Sequence, residues 1–493
     1  MGEEVKRTTY DRAQRREYRR KVQLCLDVFE TMLTRARFEA DRPLTGMEIE
    51  CNLVDSNYQP AMSNRDVLKA IADPAYQNEL GAYNIEFNVP PRPLRGHAGL
   101  DLEAEVRASL NDAETRACSG PGAGAHIVMI GILPTLMPEH LNEGWMSEST
   151  RYTALNDSIF SARGEDIPIN IAGPEPLSWQ AASIAPESAC TSMQLHLQLA
   201  PADFAAHWNA AQVLAAPQLA LGANSPYFFG HQLWAETRIE LFAQSTDTRP
   251  EELKIQGVRP RVWFGERWID SVVDLFKENI RYFPSLLPEV SEEDPAAELA
   301  SGRIPQLAEL RLHNGTVYRW NRPVYAVVGG RPHLRLENRV LPAGPTVIDM
   351  LANSSLYYGA LHSLAAADPP LWSEMNFAAA QANFLHTAQH GMDSRLQWPG
   401  LGEVTPDRLV LDTLLPMADD GLRALGVDAQ VRDRFLGVIE GRAKTGRNGA
   451  HWQVSTVRAL QDGGMTRPQA LAEMLRRYCE HMHANEPVHT WDT

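Results

Sequence analysis

Cysteine is scarce in this chain. Cys25, Cys51, Cys118, Cys190 and Cys479 are the five among 493 residues, an odd number with no CxxC pair. That usage excludes a disulfide framework and a dithiol motif, and reads as reduced, mostly packing thiols of a cytosolic protein. Long apolar runs are missing as well: none approaches the roughly eighteen residues of a membrane span, and the charged N-terminus carries no apolar signal region. The expectation is a cytoplasmic protein with no membrane partner. Positive charge is in deficit, with 46 Lys and Arg against 62 Asp and Glu and a net charge of −16. Such a balance argues against general nucleic-acid or anionic-membrane binding. GxSxG and HExxH are absent, which removes the usual serine-nucleophile and zinc-protease signatures. The glycine-rich SGPGAGAH (Ser119 to His126) lacks the GK[ST] of a phosphate loop and reads as a tight connection into the apolar IVMIGIL. Neither repeats nor low-complexity segments are present.

What is there is a core-forming composition, 44% hydrophobic and 22% charged, long enough for one large domain or two to three ordinary ones. TGMEIECNLVD (Thr45 to Asp55) alternates with period two. Met47, Ile49, Cys51 and Leu53 face one way, Glu48, Glu50 and Asn52 the other, the pattern of a strand lying on an apolar core. Its polar face is either a solvated acidic surface or a hard-cation site, since Mg²⁺ takes oxygen ligands. Three later strands repeat the pattern. NIEFNVPP puts Ile85, Phe87 and Val89 opposite Glu86 and Asn88, with Pro90 and Pro91 ending the strand. TSMQLHLQL (Thr191 to Leu199) sets Gln194 and His196 opposite its apolar residues, and HLRLENRVL (His333 to Leu341) does the same with Arg335, Glu337 and Arg339.

Between these strands the periodicity is helical. An amphipathic stripe of Val22, Leu26, Phe29 and Leu33 predicts a first helix within 3–40, whose Arg15, Arg16, Arg19, Arg20 and Lys21 read as a solvated face. Asp41-Arg42-Pro43 should break it. Helices are expected at 64–72, 101–118 and 201–222, then a loop NSPYFFG and a helix carrying Arg238. LRLHNGTVYRW (Leu310 to Trp320) reads as a hairpin turning at Asn314-Gly315. From Pro345 the chain is helical, with a boundary near 399–406. Strand pairs separated by long helical stretches indicate an α+β fold with an antiparallel sheet.

If the four patterned strands share one sheet face, Glu48, Glu50, Glu86, His196 and Glu337 converge. Uncompensated carboxylates would push one another's pKa upward, a conflict that Mg²⁺ or Mn²⁺ relieves. Arg335 and Arg339 beside Glu337 supply planar donors for phosphate oxygens. Acids for metal and arginines for phosphate describe phosphoryl transfer from a nucleotide such as ATP. Taken singly, His196 is as readily a satisfied polar residue, and Glu337 the centre of a salt-bridge ladder.

These motifs, in this order, resemble the glutamate–cysteine ligase type 2 family among the glutamine-synthetase-like carboxylate–amine ligases. GMEIE is similar to the family's opening GxExE strand, NIEFNVPP to its acidic second strand, and HLRLENRVLPAGPT to its LExR strand. ANSPYFFG with Arg238 resembles its Asn-Ser-Pro loop and downstream arginine, and GRNGAHWQ (Gly446 to Gln453) a late arginine loop. The resemblance implies a curved antiparallel half-barrel with helices on its convex side. It also implies an ATP- and Mg²⁺-dependent reaction in which a glutamate-type carboxylate becomes an acyl phosphate that an amine attacks. Glu48, Glu50, Glu86 and Glu337 would then hold metal, together with Gln194 and His196. Arg335, Arg339 and Arg447 would hold nucleotide phosphate, with the first two acting in transfer, and Asn224, Ser225 and Arg238 (or Arg447) the substrate. Gln194 departs from the family's His-x-His strand by standing in place of its first histidine. That departure motivates a second reading, a catalytically weak relative that binds nucleotide or glutamate as a sensor. A phosphagen-type kinase is a third. The expected organisation is an N-terminal helix (1–40), a catalytic domain (41–400) and a helical C-terminal region (401–493).

Overall fold

The structure is a computed structural model describing residues 5–35, 38–40, 43–120 and 124–493. The alternating stretches become one curled, seven-stranded antiparallel sheet. Its strands are β1 (Leu44–Val54), β2 (Tyr76–Asn78), β3 (Asn84–Pro93), β4 (His126–Val128), β5 (Met193–Leu199), β6 (Asn321–Val328) and β7 (Arg331–Asn338), in the order β6-β7-β5-β1-β3-β2, with β4 alongside the end of β1. Register decides what the polar face presents. Glu48 lies opposite Gln194, Glu50 opposite Glu86, Glu337 opposite His196, and Arg322 opposite Glu337. Directly opposed residues share a face, so the polar rows of separate strands form one polar surface inside the curl.

The apolar rows face the helices on the other side, and Met47, Ile49, Cys51, Leu195 and Leu336 are all buried. Two almost wholly buried helices, Phe204–Gly222 and Val347–Ala365, form the layer behind the sheet. Tyr358 of the second donates to His196 O at 3.0 Å, tying helix to strand. The helices Leu415–Ala424 and Ala429–Thr445 pack on Val347–Ala365, locked by a buried Arg442–Asp349 pair at 3.2 Å. The C-terminal residues therefore thicken the convex side. The first helix, Arg12–Arg35, turns its apolar stripe inward, where Phe29 meets Phe276 and Tyr325. Arg15, Arg16, Arg19 and Arg20 are exposed as expected, whereas Lys21 is buried and donates to Ser291 O and Glu293 O.

Several local expectations fail for physical reasons. Leu310 to Trp320 is no hairpin: Ala308–Asn314 is a helix, and Gly315 has φ −69° instead of the positive φ a type I′ turn needs. The Asn314 side chain donates to Pro323 O and accepts from Asn279, so tertiary partners take the groups a turn would use. Pro90 and Pro91 do not end β3, which runs to Pro93. One extra residue is accommodated there by a bulge opposite Thr45–Met47, the place where a sheet tolerates proline. Only His126–Val128 of the apolar run through Leu133 pairs as strand; the rest is buried irregular chain. The expected break at Asp41-Arg42 and the middle of the glycine-rich connection (121–123) lie outside the described residues.

Candidate active site

Inside the curl is a cavity of about 300 Å³. At one end Glu50, Glu79 and Glu86 bring carboxylate oxygens within 4.8 Å of one another. Glu50 and Glu86 come from adjacent strands at opposed positions, and Glu79 from the segment just after β2. Glu50 is held from the far side, accepting from Ser192 N at 2.5 Å and from Gln194 Nε2 at 2.7 Å. At the other end Glu337 accepts two hydrogen bonds from Arg322, each 2.9 Å, and one from Arg339 at 2.6 Å. Glu48 Oε1 meets His196 Nε2 at 2.9 Å, but misaligned, so neither ring nitrogen of His196 has a hydrogen-bond partner. Arg151, Arg311 and Arg335 complete the wall, with an apolar side that includes Tyr152, Phe242, Phe276 and Trp320.

The two ends differ electrostatically. Burial opposes ionisation of Glu337, yet Arg322 and Arg339 outweigh it and hold the carboxyl well below its usual range. Burial also works against charge on Glu48, but contact with His196 brings that carboxyl down to about 2. At the three-acid end compensation is only partial. Burial, then the Glu86 and Glu50 charges, push Glu79 well above the carboxylate range. Glu50 is raised by burial, with Arg339 opposing only in part. Glu187, on a short helical turn at the wall, is pushed up to about 8 by burial and then by Glu50. An oxygen-only donor set that is too acidic for its own surroundings fits a hard divalent cation.

A family model for glutamate–cysteine ligase family 2 matches residues 44–481. The chain belongs to that family. Among solved structures it is similar to a glutamate–cysteine ligase from Francisella tularensis in complex with AMP, at 11% identity and TM-score 0.55, covering 91% of this chain and 90% of that one. It is also similar to a bifunctional glutathione synthetase from Pasteurella multocida, at 12% identity and TM-score 0.51, covering 95% of this chain and 55% of that longer one. At such identities the likeness is one of fold. No curated protein matches the sequence significantly. Among the described residues no helix is long and apolar enough to cross a membrane.

Glu48, Glu50, Glu86, Gln194, His196, Arg238, Arg335, Glu337 and Arg339 all line the cavity. Gln194 does so as a bridge: its amide nitrogen donates to Glu50 while its oxygen accepts from Arg339. The oxygen that was to serve a metal is already engaged. Arg238 reaches the wall with its donors committed to Glu236, Arg339 O and Val340 O. It shapes the chain leaving β7 instead of offering a free guanidinium. Asn224 and Ser225 do not line the cavity. Asn224 donates to Ala343 O and Tyr478 Oη and accepts from Gln453, each at 2.8 Å, and Ser225 Oγ accepts from Arg238 N. Arg447 is exposed and lies away from the cavity. GRNGAHWQ serves packing: a Cβ on Gly449 would collide with Asn224, and Gln453 clamps the same amide. Two motifs expected to touch ligands thus hold each other.

Sequence reasoning missed Glu79, Glu187, Arg151, Arg311 and Arg322. Arg322 was findable, because Arg322, Val324 and Ala326 alternate on β6 and all line the cavity. Glu79 and Glu187 stand in a short connection and a single turn, where no periodicity marks them.

Proposed function

We propose that the chain is an ATP-dependent carboxylate–amine ligase that activates a glutamate-type carboxylate as an acyl phosphate and joins it to an amine. The observation that carries this reading is the three-acid cluster of Glu50, Glu79 and Glu86 sharing one cavity with arginines. The donor set fits Mg²⁺, with Mn²⁺ as an alternative, and Glu50, Glu79 and Glu86 are the residues that would hold it. Bound there, the ion would neutralise charge on the nucleotide phosphates.

The chain's own residues account for the remaining steps. Arg339, fixed between Glu337 and Gln194, would face the transferring phosphoryl group, and Arg335, whose Nε has no hydrogen-bond partner, would hold phosphate or substrate carboxylate. A carboxylate oxygen of the substrate attacks the terminal phosphorus and the bond to ADP breaks. The amine nitrogen then attacks the acyl carbon, phosphate leaves, and a proton is lost from nitrogen. Glu187, whose carboxyl burial and Glu50 push up to about 8, is our candidate to take that proton. The apolar wall limits water, which would otherwise hydrolyse the acyl phosphate. Two small molecules held together supply the proximity term, and the reaction would run in the cytoplasm, where ATP is at hand.

A second reading, a nucleotide- or glutamate-binding relative with weak turnover, is favoured by one observation: the Gln194 oxygen is occupied by Arg339. One experiment separates the two. Phosphate release from ATP and Mg²⁺ is measured with glutamate against a panel of amino acids and amines, with product mass. Release requiring both substrates, and a product with a new amide bond, supports the ligase. Thermal stabilisation by ATP without release under any combination refutes it and favours the binding protein.

A further inference from the structure

Outside the cavity, a second group of metal-ligating side chains converges. Glu114 and Cys118 are four residues apart on the helix Ala98–Ser119 and so lie on one face. His126 opens β4, and His483 comes from the C-terminal helix Arg467–Ala484. The Glu114, Cys118 and His126 ligand atoms lie within 4.8 Å of one another. His126 Nδ1 is 2.8 Å from Glu114 Oε1 and 3.3 Å from Cys118 Sγ. Cys118 Sγ is 3.4 Å from Glu114 Oε1, and His483 Nε2 is 3.8 Å from that same oxygen.

Hydrogen bonding explains this only in part. A thiol has one proton, yet Cys118 Sγ has three acceptors at hand: Glu114 Oε1, Ala125 O and His126 Nδ1. Glu114 Oε1 in turn is approached by Cys118, His126 and His483 together. A four-coordinate zinc ion with ligand bonds of about 2.0–2.3 Å needs ligand atoms about 3.3–3.8 Å apart. The Cys118–His126 and Cys118–Glu114 separations of 3.3 and 3.4 Å match such edges, and the 2.8 Å between His126 and Glu114 would open by about half an ångström on binding. The surroundings hold the ligands in place. Glu114 Oε2 accepts from Ile127 N at 2.7 Å, which leaves Oε1 to the cluster, and the Tyr58 ring stacks on His126 at 6.3 Å. The His126 and His483 side chains are 40% and 41% exposed, so an ion can enter from solvent.

We propose that Glu114, Cys118 and His126 form a three-ligand site for a borderline-soft divalent cation of the Zn²⁺ type, with the fourth position open to solvent. One sulfur, one imidazole nitrogen and one carboxylate oxygen suit zinc and are wrong for Mg²⁺. Binding replaces the Cys118 proton, which leaves to solvent. The ion would pin the helix Ala98–Ser119 to the strand β4, itself paired with β1. The site is independent of the catalytic reading and chemically distinct from the all-carboxylate cluster.

The test is Co²⁺ titration of the full chain after chelator treatment. One equivalent should produce near-ultraviolet thiolate-to-cobalt absorption with four-coordinate visible bands, displaced by Zn²⁺. Cys118→Ser should lose the thiolate band, His126→Ala should weaken binding at least about tenfold, and Glu50→Gln should leave the band intact. Persistence of the band in Cys118→Ser would assign it to another thiol, such as Cys190 at the cavity wall, and overturn the proposal. So would the absence of any thiolate band at one equivalent in a chain whose circular dichroism is unchanged.

Discussion

Replacing Glu79 with Gln should make the metal-free protein more stable while making it insensitive to Mg²⁺. Carboxylate oxygens of Glu50, Glu79 and Glu86 lie no more than 4.8 Å apart. At that separation and an effective dielectric of about 20, each ionised pair repels by about 3 kcal/mol. The folded chain evades part of this by taking up protons, which is why Glu79 and Glu50 are shifted upward. A raised folded pKa contributes stability below the unfolded value of about 4.3, which is lost as pH climbs toward the folded one. The metal-free parent should therefore lose stability as pH rises above about 4.3. Glu187 adds to the loss, with its carboxyl up at about 8. It is only half-buried at the cavity wall, so screening by cavity water keeps its share to about 2 kcal/mol or less.

Gln keeps the shape of Glu79 and the acceptor that Leu80 N uses, but removes the charge. In chelator at pH 7.5 the expected gain is about 2 kcal/mol, or about 2 °C in Tm for a cooperative unit of this length. The gain should shrink towards pH 5. Saturating Mg²⁺ should stabilise the parent by about 3 kcal/mol at a hundredfold excess over Kd, and the variant by less than half of that. Calorimetry with and without Mg²⁺ reads both effects. A lower Tm in chelator, together with an undiminished Mg²⁺ effect, would refute the cation-site argument.

Other substitutions probe the remaining parts. Glu48→Gln should reduce phosphate release by about a hundredfold or more and melt below the parent above about pH 5; because the Glu48 pKa is depressed, to about 2, the parent's advantage is lost as pH falls towards that value. Gln194→His would break the Arg339–Gln194–Glu50 bridge, so kcat should fall about tenfold or more instead of rising; a gain in activity would mean that the bridge is dispensable. Asn224→Ala removes three hydrogen bonds at a buried position and should cost about 1–3 kcal/mol in urea unfolding with an unchanged KM for glutamate; a large rise in KM would return Asn224 to the substrate site.

The carboxylate rows were legible because a strand has a side-chain period of two. Each of Glu48, Glu50, Glu86, His196 and Glu337 could be assigned to a polar face from its neighbours alone. Order along the chain carried the family. Turn chemistry was less reliable: Asn314-Gly315 has the composition of a hairpin turn, yet buried partners at Asn279 and Pro323 make it a helix end.

Only the tertiary structure decided which polar residues share the cavity and what each is free to do there. Register sets Glu50 beside Glu86 and Glu337 beside His196, pairs separated by 36 and 141 residues in sequence. Glu79 and Arg151 arrive from segments without periodicity, so no local pattern could announce them. The same packing withdraws Asn224 and Ser225 into a buried lattice of hydrogen bonds and commits the donors of Arg238 to backbone carbonyls and Glu236. Side-chain period is a local property of the backbone and is written in the sequence. Competition among donors and acceptors depends on which strands and helices meet, and that is set only when the sheet curls and the helices close behind it.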